Sequence, residues 1–343
     1  MARRPFVPAL FRCANPRQVR ALARAAIQGG RRMAGQLQSV MRQRPPPGPG
    51  EWIAGMAAGP GGVRGFHVYR PPDMAPDERL PLLVMLHGCG QTARDFAIGT
   101  RMNRLAARER FLVLYPEQDL LANPQGCWNW FELRSGQALA EAATLLSAID
   151  RVCMAHGGDR ARVAVAGLSA GAGMAALLGL SAPERFVAVA MHSGVAPGAA
   201  RSRHSALAAM AGRRAPALGA SPAVPLPPLL VLQGDADAVV APVNGERAAR
   251  AWAEAGGARP AAAQQRQRGQ RLPMRVTAYR RRGRTQVVQV DIHGLGHDWS
   301  GGATASPFTD PRGPDASALV WGFVARQLRR LQADAAASGQ STL

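Results

Sequence analysis

Short strand-like runs alternate with helical patterns along most of the chain, and this alternation limits the possible folds more than any other feature. The runs have the length and apolar character of buried strands, and they lie at 66–70, 82–86, 111–115, 162–166, 186–191 and 229–233. Helical patterns lie at 100–109, 136–156, 170–180, 243–255 and 316–332. A hairpin is expected at 274–280 and 285–292. This order predicts an α/β fold with a mostly parallel central sheet and helices on both faces.

One folded domain is predicted from residue 51 to residue 335. The preceding segment, 1–50, is a basic arm that ends in the linker PPPGPG, and we expect it to be poorly ordered. A short tail, 336–343, follows the last predicted helix. Two insertions rich in Ala, Pro and Arg, near 197–227 and 257–273, interrupt the pattern. The first insertion lies where α/β folds of this kind often carry a cap, although its composition suggests a loop.

The chain carries a formal charge of +20, and all of its basic residues are arginines. One interpretation is an electrostatic attraction to nucleic acid or to an anionic membrane. The other is coding bias, because Ala, Arg, Gly and Pro are abundant together and lysine is absent. The arginines are scattered rather than interleaved with aromatic residues, which favours the second interpretation. We therefore expect no specific nucleic-acid partner.

The N-terminal region predicts neither a signal peptide nor a membrane span. Its first apolar run is interrupted by Pro8, Arg12 and Pro16, which does not suit a secretory or twin-arginine signal. Residues 17–42 form a weak basic amphipathic pattern, either a solvated arm or a segment that associates weakly with a membrane or granule surface. No stretch approaches the roughly 18 apolar residues of a transmembrane helix. The oligomeric state stays open.

The four cysteines are Cys13, Cys89, Cys127 and Cys153. They form no CxxC pair, so a structural zinc site is not expected. Cys153 lies on the apolar stripe of the helix predicted at 136–156, where a role in core packing is expected.

The pattern Gly167-x-Ser169-x-Gly171 lies between a predicted buried strand and a helix of small residues. A serine nucleophile at such a turn adopts strained backbone angles, and the residues two before and two after it must be small. The helix that follows supplies free N–H groups and a positive dipole end. This context predicts an α/β-hydrolase fold with Ser169 as the nucleophile.

A serine hydroxyl needs a base that is held by an acid, and in this fold the chain order is Ser, then Asp or Glu, then His. His297 lies in a glycine-flanked loop after a predicted strand, as a triad histidine must. Asp235 and Asp237 both follow the strand at 229–233. The spacing Gly-x-x-Asp-x-x-Val favours Asp237, whereas Asp235 is expected to stabilise the turn.

Two further histidines invite other roles. His293 precedes His297 by four residues, but Gly294 and Gly296 exclude the regular helix on which that spacing gathers metal ligands. We therefore expect His293 to be a non-catalytic loop residue and no metal to be bound. His192 is expected to be structural or to line the pocket.

The oxyanion that forms during acyl transfer needs two N–H donors. The amide of Ala170 follows the nucleophile directly and is one candidate. The second candidate is the amide of Cys89, in the loop after the strand at 82–86. Gly88 in this loop permits close approach of the backbone to substrate.

Taken together, five motifs resemble those of the polyhydroxybutyrate (PHB) depolymerase-type esterases, over roughly residues 60–330. They are LHGCGQ at 86–91, CWNWF at 127–131, GLSAG at 167–171, GDAD at 234–237 and GLGHDWSGG at 294–302. The resemblance implies an α/β-hydrolase with a triad of Ser169, Asp237 and His297. It also implies a disulfide between Cys89 and Cys127, with two buried thiols as the alternative, and places Trp128 near the acyl-chain pocket. It suggests an extracellular protein, whereas the missing signal peptide favours the cytoplasm.

The expected activity is hydrolysis of short-chain esters, of the hydroxyalkanoate type or related, through an acyl-enzyme and without any cofactor. Relatives that attack solid polymer append a binding module for which the chain leaves no room after its last predicted helix, so soluble esters or oligomers are expected. Feruloyl- or acetylxylan-type esters and acyl transfer by the same triad remain as alternatives. A different class of function would be an arginine-rich binding protein on an inactive hydrolase fold.

Overall fold

The computed structural model of the chain describes residue 35 and residues 43–218 and 224–340. Its strands are β1 (Glu51–Gly59), β2 (Gly62–Arg70), β3 (Leu80–Leu86), β4 (Leu112–Pro116), β5 (Gly158–Leu168), β6 (Ala188–His192), β7 (Leu229–Gly234), β8 (Arg259–Pro260), β9 (Gln264–Arg266), β10 (Met274–Arg281), β11 (Arg284–Ile292), β12 (Trp299–Ser300) and β13 (Thr309–Asp310). Its α-helices are α1 (Ala93–Thr100), α2 (Met102–Glu109), α3 (Gln137–Ala155), α4 (Ala170–Ser181), α5 (Arg203–Met210), α6 (Val243–Ala255) and α7 (Ala316–Gln340).

One large sheet carries the site, in the strand order β1-β2-β4-β3-β5-β6-β7-β11-β10-β8, with β9 also paired to β10. The strands from β4 to β11 in this order pair in parallel, whereas the flanking pairs are antiparallel. The predicted α/β fold with a mostly parallel sheet is confirmed. Strand β1, which pairs with β2 over its whole length, was not predicted.

The hydrophobic core lies on both faces of the sheet, as expected when helices cover a parallel sheet. Successive residues of a strand point to opposite faces. In β3, Leu82, Val84 and Leu86 pack on one side with α3, α4 and α6, whereas Leu83 and Met85 pack on the other side with α1, α2 and α7. The predicted burial of Cys153, on the inner face of α3, is confirmed.

The first insertion, 197–227, differs from its predicted loop structure because it contains the helix α5. Ser202 caps this helix: its hydroxyl accepts a hydrogen bond from the Ser205 amide, and the Ser205 hydroxyl accepts one from the Ser202 amide. Such a capping box starts a helix at a defined residue. The second insertion contributes the short strands β8 and β9 to the edge of the sheet.

At both ends of the domain, the structure differs from the predicted boundaries. Helix α7 was expected to stop at residue 332 but continues to Gln340, so most of the predicted tail is helical. At the other end, Gln43 donates a hydrogen bond of 2.7 Å to Glu117, and Tyr69 donates one of 2.9 Å to the carbonyl of Pro49. This part of the linker therefore makes contacts with the domain. The amphipathic pattern at 17–42 lies outside the described residues, residue 35 excepted.

Among the described helices, none combines the length and the apolar composition that a membrane span requires.

Candidate active site

Ser169 lies at a sharp turn between β5 and α4, with φ = 56° and ψ = −118°. A positive φ is strained for any residue with a Cβ atom. The turn is possible only because its neighbours are glycines. A Cβ atom on Gly167 would lie 2.3 Å from the backbone of Gly171, and one on Gly171 would lie 2.1 Å from the carbonyl oxygen of Leu86.

The parallel partner strand holds this turn. The amide of Ser169 donates a hydrogen bond of 2.9 Å to the carbonyl of His192, at the end of β6. Helix α4 begins at Ala170, whose amide is one of the N–H groups that a helix leaves without an intrahelical acceptor. The side chain of Ser169 therefore stands beside the positive end of a helix.

The candidate base and acid are in direct contact. The Nδ1 atom of His297 lies 2.8 Å from Oδ2 of Asp237. The Asp237 side chain is completely buried and also accepts hydrogen bonds from the amides of Val239 and Val240, at 2.9 and 2.8 Å, and from the Gln233 side chain at 3.1 Å. Burial by itself would raise the pKa of Asp237, but the hydrogen bond from His297, together with those from the Val240 and Val239 amides, outweighs it and holds the pKa below its ordinary value. Asp237 is therefore a carboxylate at neutral pH, able to fix the His297 ring.

Asp235, the other candidate acid, has a different partner. Its carboxylate accepts hydrogen bonds from Nδ1 of His293 and from the amide of Gly294, both at 2.7 Å. The Asp235–His293 pair lies on the surface and ties the end of β7 to the start of the His297 loop. Among residues 43–218 and 224–340, no three His, Cys, Asp or Glu side chains are grouped as metal ligands would be.

The loop after β3 lies beside the turn that carries Ser169. A Cβ atom on Gly88 would lie 3.6 Å from the Cβ of Ser169. The Gly88 amide is occupied by the side chain of Gln91, at 2.9 Å, whereas the Cys89 amide has no acceptor within the described part of the chain. Cys89 is joined to Cys127 by a disulfide. The two candidate oxyanion amides, of Cys89 and Ala170, are thus both free to donate.

His87 shapes this loop and was missed as a functional residue. It is completely buried; its Nδ1 donates to the carbonyl of Gly88 at 2.8 Å, and its Nε2 accepts from the Gln118 amide at 3.2 Å. Burial lowers the pKa of His87, so its ring is neutral and has one tautomer. The carbonyl of His87 also accepts the indole N–H of Trp128 at 3.1 Å. The motif LHGCGQ contained this residue, but nothing in the motif revealed its partners.

A buried carboxylate holds the second loop of the site. Glu141 of α3 is 1% exposed and accepts hydrogen bonds from the Asn129 amide at 3.0 Å, the Gln118 side chain at 3.1 Å and Arg64 at 3.2 Å. These contacts satisfy the charge and anchor the segment Cys127–Asn129 beneath the loop after β3. Sequence reasoning missed Glu141, because it looks like any polar residue on an amphipathic helix.

His192 is the buried last residue of β6, next to the turn that carries Ser169. Its Nε2 accepts from the Ser300 amide at 3.2 Å, and its ring stacks on Trp299 with centroids 5.2 Å apart. Burial, aided by the neighbouring His297, lowers the pKa of His192 to about 3. Of its two expected roles, structural or pocket-lining, the contacts favour the structural one.

Ser169 and His297 open onto a pocket of about 630 Å³. Its walls are mostly apolar, and Gly88, Cys89 and Ala170 also line it. Trp128, expected as a substrate contact, is completely buried and does not line the pocket. Its place is taken by Trp130 and Phe131, because the Trp128 ring turns inward to reach the His87 carbonyl.

Comparison with known proteins places this geometry in a family. The esterase PHB depolymerase family model matches residues 64–271, which is more than half of the chain. The chain belongs to this family. The family resemblance predicted from the five motifs is thereby confirmed. The matched segment contains Ser169 and Asp237, whereas His297 lies beyond its C-terminal end.

Several curated proteins are similar to parts of this PHB depolymerase family member. Poly(3-hydroxyalkanoate) depolymerase C of Paucimonas lemoignei is 33% identical over 181 residues, which cover 48% of this chain and 42% of the relative. Feruloyl esterase B of Thermothelomyces thermophilus is 33% identical over 144 residues, 41% of this chain and 47% of the relative. Acetylxylan esterase A of Emericella nidulans is 27% identical over 162 residues, which cover 46% of this chain and 50% of the relative. The chain spans about half the length of these relatives.

Solved structures share the fold at low sequence identity. The acetyl xylan esterase from Aspergillus awamori has a TM-score of 0.58 and 19% identity, covering 73% of this chain and 94% of that one. A fungal esterase from Rhizomucor miehei has a TM-score of 0.54 and 16% identity, covering 88% of both chains. These likenesses confirm the predicted α/β-hydrolase fold.

Proposed function

We propose that this chain is a serine carboxylesterase that hydrolyses short-chain esters, of the hydroxyalkanoate type or related, through an acyl-enzyme. The observation that carries the proposal is the buried hydrogen bond between Asp237 and His297, made beside a pocket that His297 shares with the strained Ser169. Family membership and the names of the curated relatives support the same chemistry.

The proposed mechanism assigns one task to each group. His297 takes the proton of the Ser169 hydroxyl as the oxygen attacks the ester carbonyl, and Asp237 stabilises the imidazolium that forms. The amides of Cys89 and Ala170 donate to the oxyanion. His297 then protonates the leaving alcohol, and a water molecule repeats the attack on the acyl-enzyme with His297 again as the base. The reaction needs no metal or organic cofactor.

The pocket supports an ester with an apolar part longer than an acetyl group. Trp130 and Phe131 lie on its wall, and its volume lies in the range typical of small-molecule sites. We therefore propose these two residues, rather than Trp128, as substrate contacts. Feruloyl or acetyl groups, which the names of other relatives suggest, remain for an ester panel to separate.

The test replaces the candidate nucleophile. Ser169→Ala is expected to lower kcat for p-nitrophenyl butyrate by about 10⁶-fold and to abolish labelling by a fluorophosphonate probe. Ser181→Ala, at the exposed far end of the same helix, is the matched control and should keep full activity. Unchanged hydrolysis by Ser169→Ala would refute the proposal, whereas absent labelling of the wild-type protein would favour an inactive binding protein.

A further inference from the structure

Helix α5, in the first insertion, forms one wall of the pocket. Arg203, Ala206, Leu207 and Met210 all line it. Their spacing of three, four and seven residues places them on one face of the helix. Arg203 is the first residue of α5 and therefore stands at one end of this wall. Side chains on a helix lean toward its N-terminus, so the guanidinium extends beyond the apolar part of the wall.

Among the described residues that line the pocket, Arg203 is the only one with a permanent charge. Its side chain has no ion pair or hydrogen bond to any other residue in 43–218 and 224–340. The segments outside the described residues contain no Asp or Glu in their sequence. The protein thus offers this arginine no acidic side chain as a partner, from either part of the chain.

The free guanidinium of Arg203 is exposed to solvent at a mostly apolar pocket, and it suits one class of ligand. Arginine is always protonated, and its planar fork pairs with a carboxylate through two parallel hydrogen bonds. A neutral ester offers it only an uncharged carbonyl oxygen as an acceptor, whereas an ester that also carries a carboxylate gains both the paired hydrogen bonds and the charge attraction.

We propose that Arg203 selects ester substrates that carry a free carboxylate, so that one substrate end is held by the arginine while the ester bond lies at Ser169. This inference rests on the proposed esterase function and narrows its substrate class. The carboxylate belongs either to the acyl chain or to the alcohol, and the experiment separates the two sources.

The experiment measures kcat/KM for two matched ester pairs. In the first pair the acyl chain differs: the mono-p-nitrophenyl ester of adipic acid, which carries a carboxylate, against p-nitrophenyl hexanoate, which does not. In the second the leaving alcohol differs: p-butyryloxybenzoate against p-butyryloxybenzamide. Wild type is compared with Arg203→Gln and with the control Arg201→Gln, an exposed arginine two residues earlier that does not line the pocket. Comparing variants on one substrate removes differences in leaving-group reactivity.

Arg203→Gln is expected to lower kcat/KM about tenfold for the carboxylate member of one pair, which corresponds to about 1.4 kcal/mol. The neutral member should change less than twofold, and Arg201→Gln should leave both unchanged. The loss should shrink in high salt, because an exposed charge is screened. Arg203→Glu should in turn raise kcat/KM for the p-nitrophenyl ester of ε-aminocaproic acid, which carries an ammonium group. A purely structural role would not invert the charge preference.

Three results would overturn the inference. Equal losses on charged and neutral esters would mean that Arg203 only supports the pocket wall. Equal effects of Arg201→Gln and Arg203→Gln would mean that the preference for the carboxylate comes from the positive potential of the whole surface. No effect at all would make Arg203 a solvated side chain. In each case the proposed esterase function stands as long as the wild type hydrolyses the neutral esters. If the wild type hydrolyses none of the four esters, both the function and the inference fail.

Discussion

Two aspartate–histidine pairs lie within a few residues of each other, and only one of them faces the pocket. Asp235 pairs with His293 at 2.7 Å, and Asp237 pairs with His297 at 2.8 Å, through the same atoms. The side chains of the first pair are 45% and 53% exposed, whereas those of the second are 0% and 13% exposed. Pair geometry therefore does not identify a catalytic dyad. Burial of the acid, and the pocket that His297 shares with Ser169, distinguish the second pair, for which we propose the catalytic role.

The largest expected contrast is between the two histidines. His297→Ala should lower kcat for p-nitrophenyl butyrate by about 10⁶-fold, because it removes the base and leaves the serine hydroxyl unactivated. His293→Ala should stay within about threefold of the wild type. Steady-state kinetics on both purified variants makes the measurement. A large loss of kcat in His293→Ala alone would assign the catalytic role to the Asp235–His293 pair instead.

The second largest contrast in kcat is expected between the two aspartates. Asp237→Asn is expected to lower kcat by about 10⁴-fold, because the amide no longer holds the imidazole in the correct tautomer. Asp235→Asn keeps an acceptor for the Gly294 amide and should retain most activity. Both substitutions preserve volume, so circular dichroism should be unchanged for each. Similar kcat values for the two variants would show that burial of the aspartate does not determine which pair acts in catalysis.

The smallest expected effect concerns stability and pH. The pKa of Asp237 is below its ordinary value in the folded protein, so its contribution to stability is complete above about pH 4 and is lost as pH falls further. Asp237→Asn should therefore cost about 1–3 kcal/mol at pH 7, and this difference should narrow at pH 3. Urea unfolding at both pH values provides the test. Asp235→Asn, from the exposed pair, should cost under about 1 kcal/mol at either pH. A cost for Asp237→Asn that does not change with pH would contradict this assignment.

Local chemistry explains what could be predicted. The strand and helix pattern depends on hydrophobic spacing, and the turn at Ser169 depends on two glycines that no other residue could replace, so both are visible in the chain itself. The spacing around Asp237 likewise pointed to the acid that contacts His297. Burial of Trp128, in contrast, follows from a hydrogen bond to His87 that is 41 residues away in sequence. No local pattern encodes that contact.

The sequence by itself determined the α/β alternation, the family and the short list of chemical groups, because spacing, glycine sterics and residue types are local properties. The tertiary structure alone decided three things. It joined Glu141 to the segment around Asn129, turned Trp130 rather than Trp128 toward the pocket, and placed helix α5 with Arg203 at the pocket wall. Each of these depends on contacts between segments that lie far apart in the chain. For the two aspartate–histidine pairs, local sequence supplies the residue types, whereas only the folded protein decides that one pair is buried and the other exposed.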